Sequence, residues 1–227
     1  MALGGGGFSN GDVASKLDDF ILGLARTSNP RICFLGTASG DADSYAVNFY
    51  RAFNRRACRP IDLLLFRRTV VDLEEFLMQQ DVVYVGGGNT ANLLAVWRVH
   101  GIDRILRQAW EAGTVLAGIS AGAICWFEAC VTDSFGLELA GLRDGLGLLP
   151  GSACPHYDSE AKRRPVYREL VSQGFPGGYA AEEDVALHFA GRELVQAVST
   201  SASGLAYAVR LDGGAVTETP ITPRRLR

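Results

Sequence analysis

The pentapeptide Gly118-Ile119-Ser120-Ala121-Gly122 follows a short apolar run, Thr114-Val-Leu-Ala117, and opens a stretch that reads as a helix. A serine on a tight strand-to-helix turn presents its hydroxyl as a nucleophile. Such a turn needs small neighbours, because a Cβ on either flanking glycine would strike the adjacent strand or helix. It also sets the Ala121 N–H at a helix N-terminus, where a developing oxyanion is stabilised. The plainer use of Ser120 is as a helix cap. A second glycine cluster, Gly86-Gly-Gly-Asn-Thr90, ends the preceding apolar run. Its backbone can approach closely, and Gly88 is the best candidate for a second oxyanion N–H. No Gly-Lys-[Ser/Thr] follows, so it is not a phosphate-binding P-loop.

A serine nucleophile needs a base. Of three histidines, His100 reads as a helix-end residue and His188 as an outward strand position in Val185-Ala-Leu-His-Phe189. His156, in Cys154-Pro-His-Tyr-Asp158, lies in a loop between elements and is the best base. The orienting acid is sought in Glu182-Glu183-Asp184. Three adjacent acids repel one another and need a partner or a solvated turn. Asp158 is too close in sequence to His156 to orient it.

Apolar runs at Ile32–Leu35, Ile61–Phe66, Val82–Val85 and Thr114–Ala117 alternate with amphipathic stretches at 13–24, 43–57, 72–79 and 92–112, the last broken near Gly101. Strand then helix, repeated, predicts βαβ units, a mostly parallel sheet and helices on both faces. Sites in such sheets lie at the carboxyl ends of the strands, where Gly36, Gly86–Asn89 and Gly118–Gly122 all fall. The run Gly4–Gly7 suits a close backbone crossing after a very short first strand. Beyond residue 130 the pattern changes. A Gly- and Leu-rich connection (133–152) and a helix (160–173) precede four short segments, 185–189, 194–198, 205–211 and 215–218, expected as antiparallel edge strands of the same sheet. No linker or repeat divides the chain, so one domain, 1–227, is expected.

Hydrophobic residues make up 48% and charged residues 21%, so a sizeable core is expected and disorder is not. The net charge of −3 gives no field that would favour nucleic acid or an anionic membrane. The local cluster Lys162-Arg163-Arg164 reads first as a solvated helix face. Five cysteines without a Cys-x-x-Cys pair fit neither a disulfide framework nor a zinc site, so no metal is expected. The opening residues lack the charged and apolar regions of a secretory signal, and no apolar run is long enough to span a membrane. A cytoplasmic location follows as an expectation.

Taken together, Gly86–Thr90, Gly118–Ala123, Pro155-His156 and the acidic turn 182–184 resemble the peptidase E group of serine peptidases, which includes the cyanophycinases. The resemblance implies a flavodoxin-like, class I glutamine-amidotransferase-like α/β fold and a Ser–His–Glu triad in that order. It maps the triad to Ser120, His156 and Glu183, with Glu182 as the alternative, and the oxyanion donors to Gly88 and Ala121. It further implies a dipeptide substrate with an N-terminal aspartate, Arg163 as the cation for that side chain, Asn89 and Asp133 as further substrate-binding residues, no cofactor, and a homodimer. Three other readings compete. One is a cyanophycinase-like enzyme cutting β-aspartyl-arginine. Another is an α/β-hydrolase esterase, which would have to use Asp158 and His188. The last is a non-catalytic amidotransferase-like binding module.

Overall fold

The computed structural model describes residues 1–227. In chain order the elements are β1 (Ala2–Leu3), α1 (Lys16–Leu22), β2 (Arg31–Leu35), α2 (Asp43–Phe53), β3 (Arg59–Asp62), α3 (Leu73–Met78), β4 (Val82–Val85), α4 (Thr90–His100), α5 (Ile102–Ala112), β5 (Val115–Ile119) and α6 (Ala121–Ile124). The second half holds β6 (Phe127–Thr132), β7 (Ala140–Leu142), β8 (Leu149–Cys154), α7 (Arg163–Ser172), β9 (Gly178–Ala181), β10 (Val185–Ala190), β11 (Glu193–Ser199), β12 (Ala206–Asp212), β13 (Ala215–Ile221) and β14 (Arg224–Arg225).

The strands form two sheets. The first runs β14-β11-β10-β1-β5-β4-β2-β3, and its segment from β1 to β3 is parallel throughout. β10 joins β1 antiparallel, with Ala2 opposite Leu187, and β11 continues antiparallel beyond it. The second sheet runs β13-β12-β9-β8-β6-β7. This corrects the expectation of one sheet with four appended edge strands: β12 pairs with β9 instead, and β13 pairs with β12 at the sheet's edge. The helix expected after Ser120 is also only four residues long. The chain then turns into β6, because Phe127-Glu-Ala-Cys-Val-Thr132 is rich in residues that suit a half-buried pleated surface.

Local signals account for the helices that frame the site. The Asp72 side chain caps α3 by accepting from Glu75 N at 2.8 Å, and Asn89 caps α4 by accepting from Asn92 N at 2.9 Å. Gly101 takes the left-handed conformation that ends α4 and starts α5.

One face of the first sheet packs on α1 and α2 through Leu17, Ile21, Phe34, Phe49, Phe53 and Tyr84, with Phe8 at the centre of the aromatic group. The other face packs on α3, α4 and α5 through Leu77, Trp97 and Leu106. A smaller core seats α7 on the second sheet, where Tyr167 and Val171 meet Val131, Cys154 and Val209. No helix is long and apolar enough to cross a membrane.

Candidate active site

Ser120 stands between β5 and α6 with φ 52° and ψ −118°, a strained backbone for a residue with a Cβ. The turn closes only because its flanks are glycine. A Cβ on Gly118 would lie 2.0 Å from Gly122 O, and one on Gly122 would lie 2.3 Å from Val85 O. The Ser120 backbone is held by Leu3 O, which accepts from Ser120 N at 3.1 Å.

His156 follows β8 and also has positive φ, at 53°. Its N–H donates to Gly4 O at 3.1 Å. Nε2 lies 2.9 Å from Ser120 Oγ, and Nδ1 is hydrogen-bonded to Glu183 Oε1. This arrangement favours the tautomer with the proton on Nδ1, so Nε2 is free to accept from the serine hydroxyl. The hydrogen bond from His156 is the main cause that holds the Glu183 carboxyl below its ordinary value, against the opposing pull of burial.

Glu183 has further supports. Ser159 Oγ donates to Oε1 at 3.0 Å, and the Glu183 N–H donates to Asp158 Oδ1 at 2.9 Å. Glu182 faces elsewhere, accepting from Leu205 N at 2.7 Å and from the Tyr207 hydroxyl at 3.1 Å. Asp184 takes φ 59°, and its carboxyl is pushed up by burial and by neighbouring Glu183. The acidic turn lies on the glycine run. Added Cβ atoms on Gly4, Gly5 and Gly6 would lie 2.4 Å from Ala181 O, 1.8 Å from Glu183 Oε2 and 2.1 Å from Asp184 Oδ1. The close crossing expected of Gly4–Gly7 is therefore the seat of the acid.

The loop after β4 lies beside the serine: a Cβ on Gly87 would sit 3.3 Å from Ser120 Cβ. Gly88 has φ 137° and presses against Ala38 O, where a Cβ would lie at 2.2 Å. Its N–H has no acceptor in the protein. Ala121, the first residue of α6, likewise has no acceptor within its helix. The Tyr45 hydroxyl fixes this loop by accepting from Gly87 N at 3.1 Å, and it pairs with Ser9 Oγ at 2.5 Å.

The three residues expected to bind substrate fare differently. Both ends of the Asn89 amide are spent on the protein: Oδ1 caps α4 and Nδ2 donates to Ser134 O at 3.0 Å. Its place is structural, tying the Gly88 loop to the segment after β6. Asp133, in that segment, is exposed. Arg163 departs from the expectation of a cation open to substrate. It is 3% exposed, with Nε donating to Glu160 Oε2 at 2.7 Å and Nη1 to Val131 O at 3.0 Å. Its neighbours in the basic cluster are paired as well, Lys162 with Glu138 and Arg164 with Glu218.

Of the other histidines, His100 ends α4 beside Arg68, and His188 lies in β10 against Phe20 and Gln196. Sequence reasoning missed Ser159 and Gly5 as supports of the acid. The signal for Ser159 was its place in the polar turn that opens at His156.

The profile of Peptidase family S51 matches residues 1–197. An uncharacterized peptidase, YgaJ, of Bacillus subtilis (strain 168) is 50% identical over 227 residues, covering 100% of this chain and 98% of that one. Peptidase E of Pasteurella multocida (strain Pm70) is 28% identical over 128 residues, covering 52% of this chain and 55% of its own. Among solved structures, a peptidase from an acI-B1 Actinobacterium superposes with a TM-score of 0.70 at 17% identity, covering 97% of this chain and 92% of the other.

Proposed function

The chain belongs to peptidase family S51, and from that premise we propose that it is a serine-type peptidase of small peptides, dipeptides foremost, with Ser120, His156 and Glu183 as its triad. One observation carries the reading: a serine on a strained elbow, 2.9 Å from a histidine whose other nitrogen is held by a carboxylate. Ser120 Oγ attacks the peptide carbonyl while His156 Nε2 takes its proton. The carbonyl oxygen becomes an oxyanion and is received by the free N–H groups of Gly88 and Ala121. Glu183 holds the imidazolium that forms. His156 then gives the proton to the leaving amine, and water, activated by the same imidazole, releases the acyl group.

The side-chain preference rests on Arg163. Substrate aspartate would have to displace Glu160, which already neutralises the guanidinium. We therefore expect wild-type enzyme to favour no acidic residue.

The test is cleavage of Asp-p-nitroanilide, Leu-p-nitroanilide and β-aspartyl-arginine beside Ser120→Ala. Cleavage of at least one substrate, abolished by the substitution, supports the triad. Equal rates in both proteins would overturn it. Strong selectivity of wild type for Asp-p-nitroanilide would overturn the masked-arginine reading alone.

A further inference from the structure

Four successive amides decide how the loop after β4 is held. Gly86 N donates to Leu35 O at 3.0 Å, and Asn89 N donates to Ala38 O at 2.8 Å. Between them, Gly87 N donates to the Tyr45 hydroxyl at 3.1 Å, and here alone a side chain is the acceptor. Gly88 N has no acceptor, and Gly88 is exposed, so the free N–H belongs to a residue that substrate can reach. Three consecutive glycines give this backbone little stiffness of its own. Rotation at Gly87 turns the peptide that carries the Gly88 N–H, and the bond to Tyr45 opposes that rotation.

Tyr45 is itself well fixed. Its ring packs on Phe8 and Phe34, with centroids 5.6 Å and 5.0 Å away. Gly86 permits the approach, since a Cβ there would lie 2.8 Å from Tyr45 Cε1. The hydroxyl accepts from Gly87, so its own proton goes to its other partner, Ser9 Oγ. Burial raises the phenol above its ordinary pKa, which keeps that proton in place. Ser9 lies in a single 3₁₀ turn, Gly7–Asn10, and the residue before it is anchored by Phe8 N donating to Asp18 Oδ2 at 3.0 Å. Gly5, which seats Glu183, opens the same segment. The N-terminal segment therefore reaches the acid directly and the oxyanion loop through Ser9 and Tyr45.

We propose that Tyr45, oriented by Ser9, is a positioning residue of the reaction: it locks the Gly87 peptide so that the Gly88 N–H points at the oxyanion. The oxyanion in this assignment rests on the peptidase reading, whereas the hold on Gly87 does not. An amide aimed at charge that develops only in the transition state affects kcat rather than KM. Outright loss of one oxyanion donor costs about 10²–10³-fold in kcat. Tyr45→Phe leaves the Gly86 and Asn89 anchors in place, so a smaller loss of about 10- to 50-fold is expected, with KM within about twofold. Ser9→Ala, which leaves the phenol without its second partner, should cost roughly two- to fivefold.

Steady-state hydrolysis of whichever p-nitroanilide the wild type cleaves tests this, on the full-length protein, with a thermal melt of each variant. Tyr50→Phe is the control. It lies on the same helix, and its hydroxyl donates to Asp62 Oδ1 at 2.6 Å, on the edge strand β3. It loses a phenol hydroxyl without touching the loop, so its kcat should stay within about twofold of wild type. Hydrogen exchange at the Gly87 amide, followed by NMR, reads the hold directly and should quicken at least about tenfold in Tyr45→Phe but not in Tyr50→Phe. If wild type is active, a folded Tyr45→Phe with unchanged kcat, or with a change in KM alone, overturns the inference and leaves the triad standing. If no substrate is cleaved, the peptidase reading fails by itself. Quickened exchange at Gly87 then still upholds the hold by Tyr45, and unchanged exchange overturns it. Should Tyr45→Phe unfold, Ser9→Ala carries the same two measurements, and unchanged kcat and exchange in that variant overturn the inference.

Discussion

Gly5→Ala is the sharpest perturbation of the triad, because it touches the acid without altering any of the three side chains. The new methyl group would lie 1.8 Å from Glu183 Oε2, whereas ordinary contact begins at 3.4 Å. The carboxylate must retreat by about 1.6 Å, more than the hydrogen bond to His156 Nδ1 can absorb. Gly5 is not among the residues with positive φ, so alanine adds no backbone strain and the effect isolates the steric push. Displacement of a reacting group by about 1 Å costs on the order of 10²-fold in rate, or about 2.7 kcal/mol in the barrier. Loss of the acid's orienting role in a Ser–His–acid triad sets an upper value of about 10⁴-fold. The assay is steady-state hydrolysis of whichever p-nitroanilide the wild type cleaves. The expected result is a fall in kcat within that range with little change in KM, since substrate contacts stay intact. A folded Gly5→Ala protein with kcat within twofold of wild type would refute the claim that Glu183 is held by the glycine run.

Ser159→Ala should lower kcat by roughly two- to tenfold, because it removes one charged hydrogen bond at an exposed position; rates on the same substrate check this. Glu183→Gln should lower kcat by up to about 10⁴-fold, because an amide cannot stabilise the imidazolium that forms on His156; the same assay measures it. Because the Glu183 pKa is lowered in the fold, the stability it contributes is present above its unfolded value near 4.5 and is lost as pH falls below it; urea titrations at pH 6 and pH 4 on wild type and variant check the sign. Asp18 is the reverse case. It is fully buried with Oδ1 unpaired, and burial pushes its pKa to about 7. The folded value exceeds the unfolded one of 3.8, so stability is full below pH 3.8 and falls as pH rises through 7. Asp18→Asn, which can still accept from Phe8 N, should therefore stabilise at pH 8 by up to about 4 kcal/mol and by almost nothing at pH 3.5. Phe8→Ala should destabilise by about 3–5 kcal/mol, as expected for removing a fully buried ring from an aromatic cluster; the urea midpoint measures it.

The proposed nucleophile and base stand out in the sequence because the chemistry asked of them imposes local conditions. Ser120 needs glycines on both sides, and His156 needs a loop at a strand end. The choice between Glu182 and Glu183 was not local. Adjacent residues on the turn face different ways, and which one meets the histidine depends on how the turn lies on Gly5, far away in sequence. That β2, β3, β4 and β5 run parallel followed from the alternation of strand and helix. The second sheet did not. β12 and β13 look alike whichever sheet they join, and the pairing of β12 with β9 is a long-range choice. The apolar run after Ser120 suits a helix or a strand until its β-branched and aromatic content is weighed. For Arg163 the sequence displays the charge but not its company. Glu160, three residues earlier, has the spacing at which opposite charges meet on a helical turn.

The two-residue strand β1 has a consequence for the order of events when the chain folds. Leu3 holds Ser120, Gly4 holds His156, and Gly5 seats Glu183. All three attachments join residues 3–5 to partners far along the chain, and β1 is clasped between β5 and β10. Contacts of such long range form late, since the loop entropy they cost must be met before they repay it. The parallel βαβ units can fold around their own short-range contacts while the hydrolytic centre is still in pieces. Hydrolysis should thus return after the bulk of tryptophan burial during refolding. A chain in which β10 has not yet docked can have most of its first sheet in place while Ser120, His156 and Glu183 are still apart.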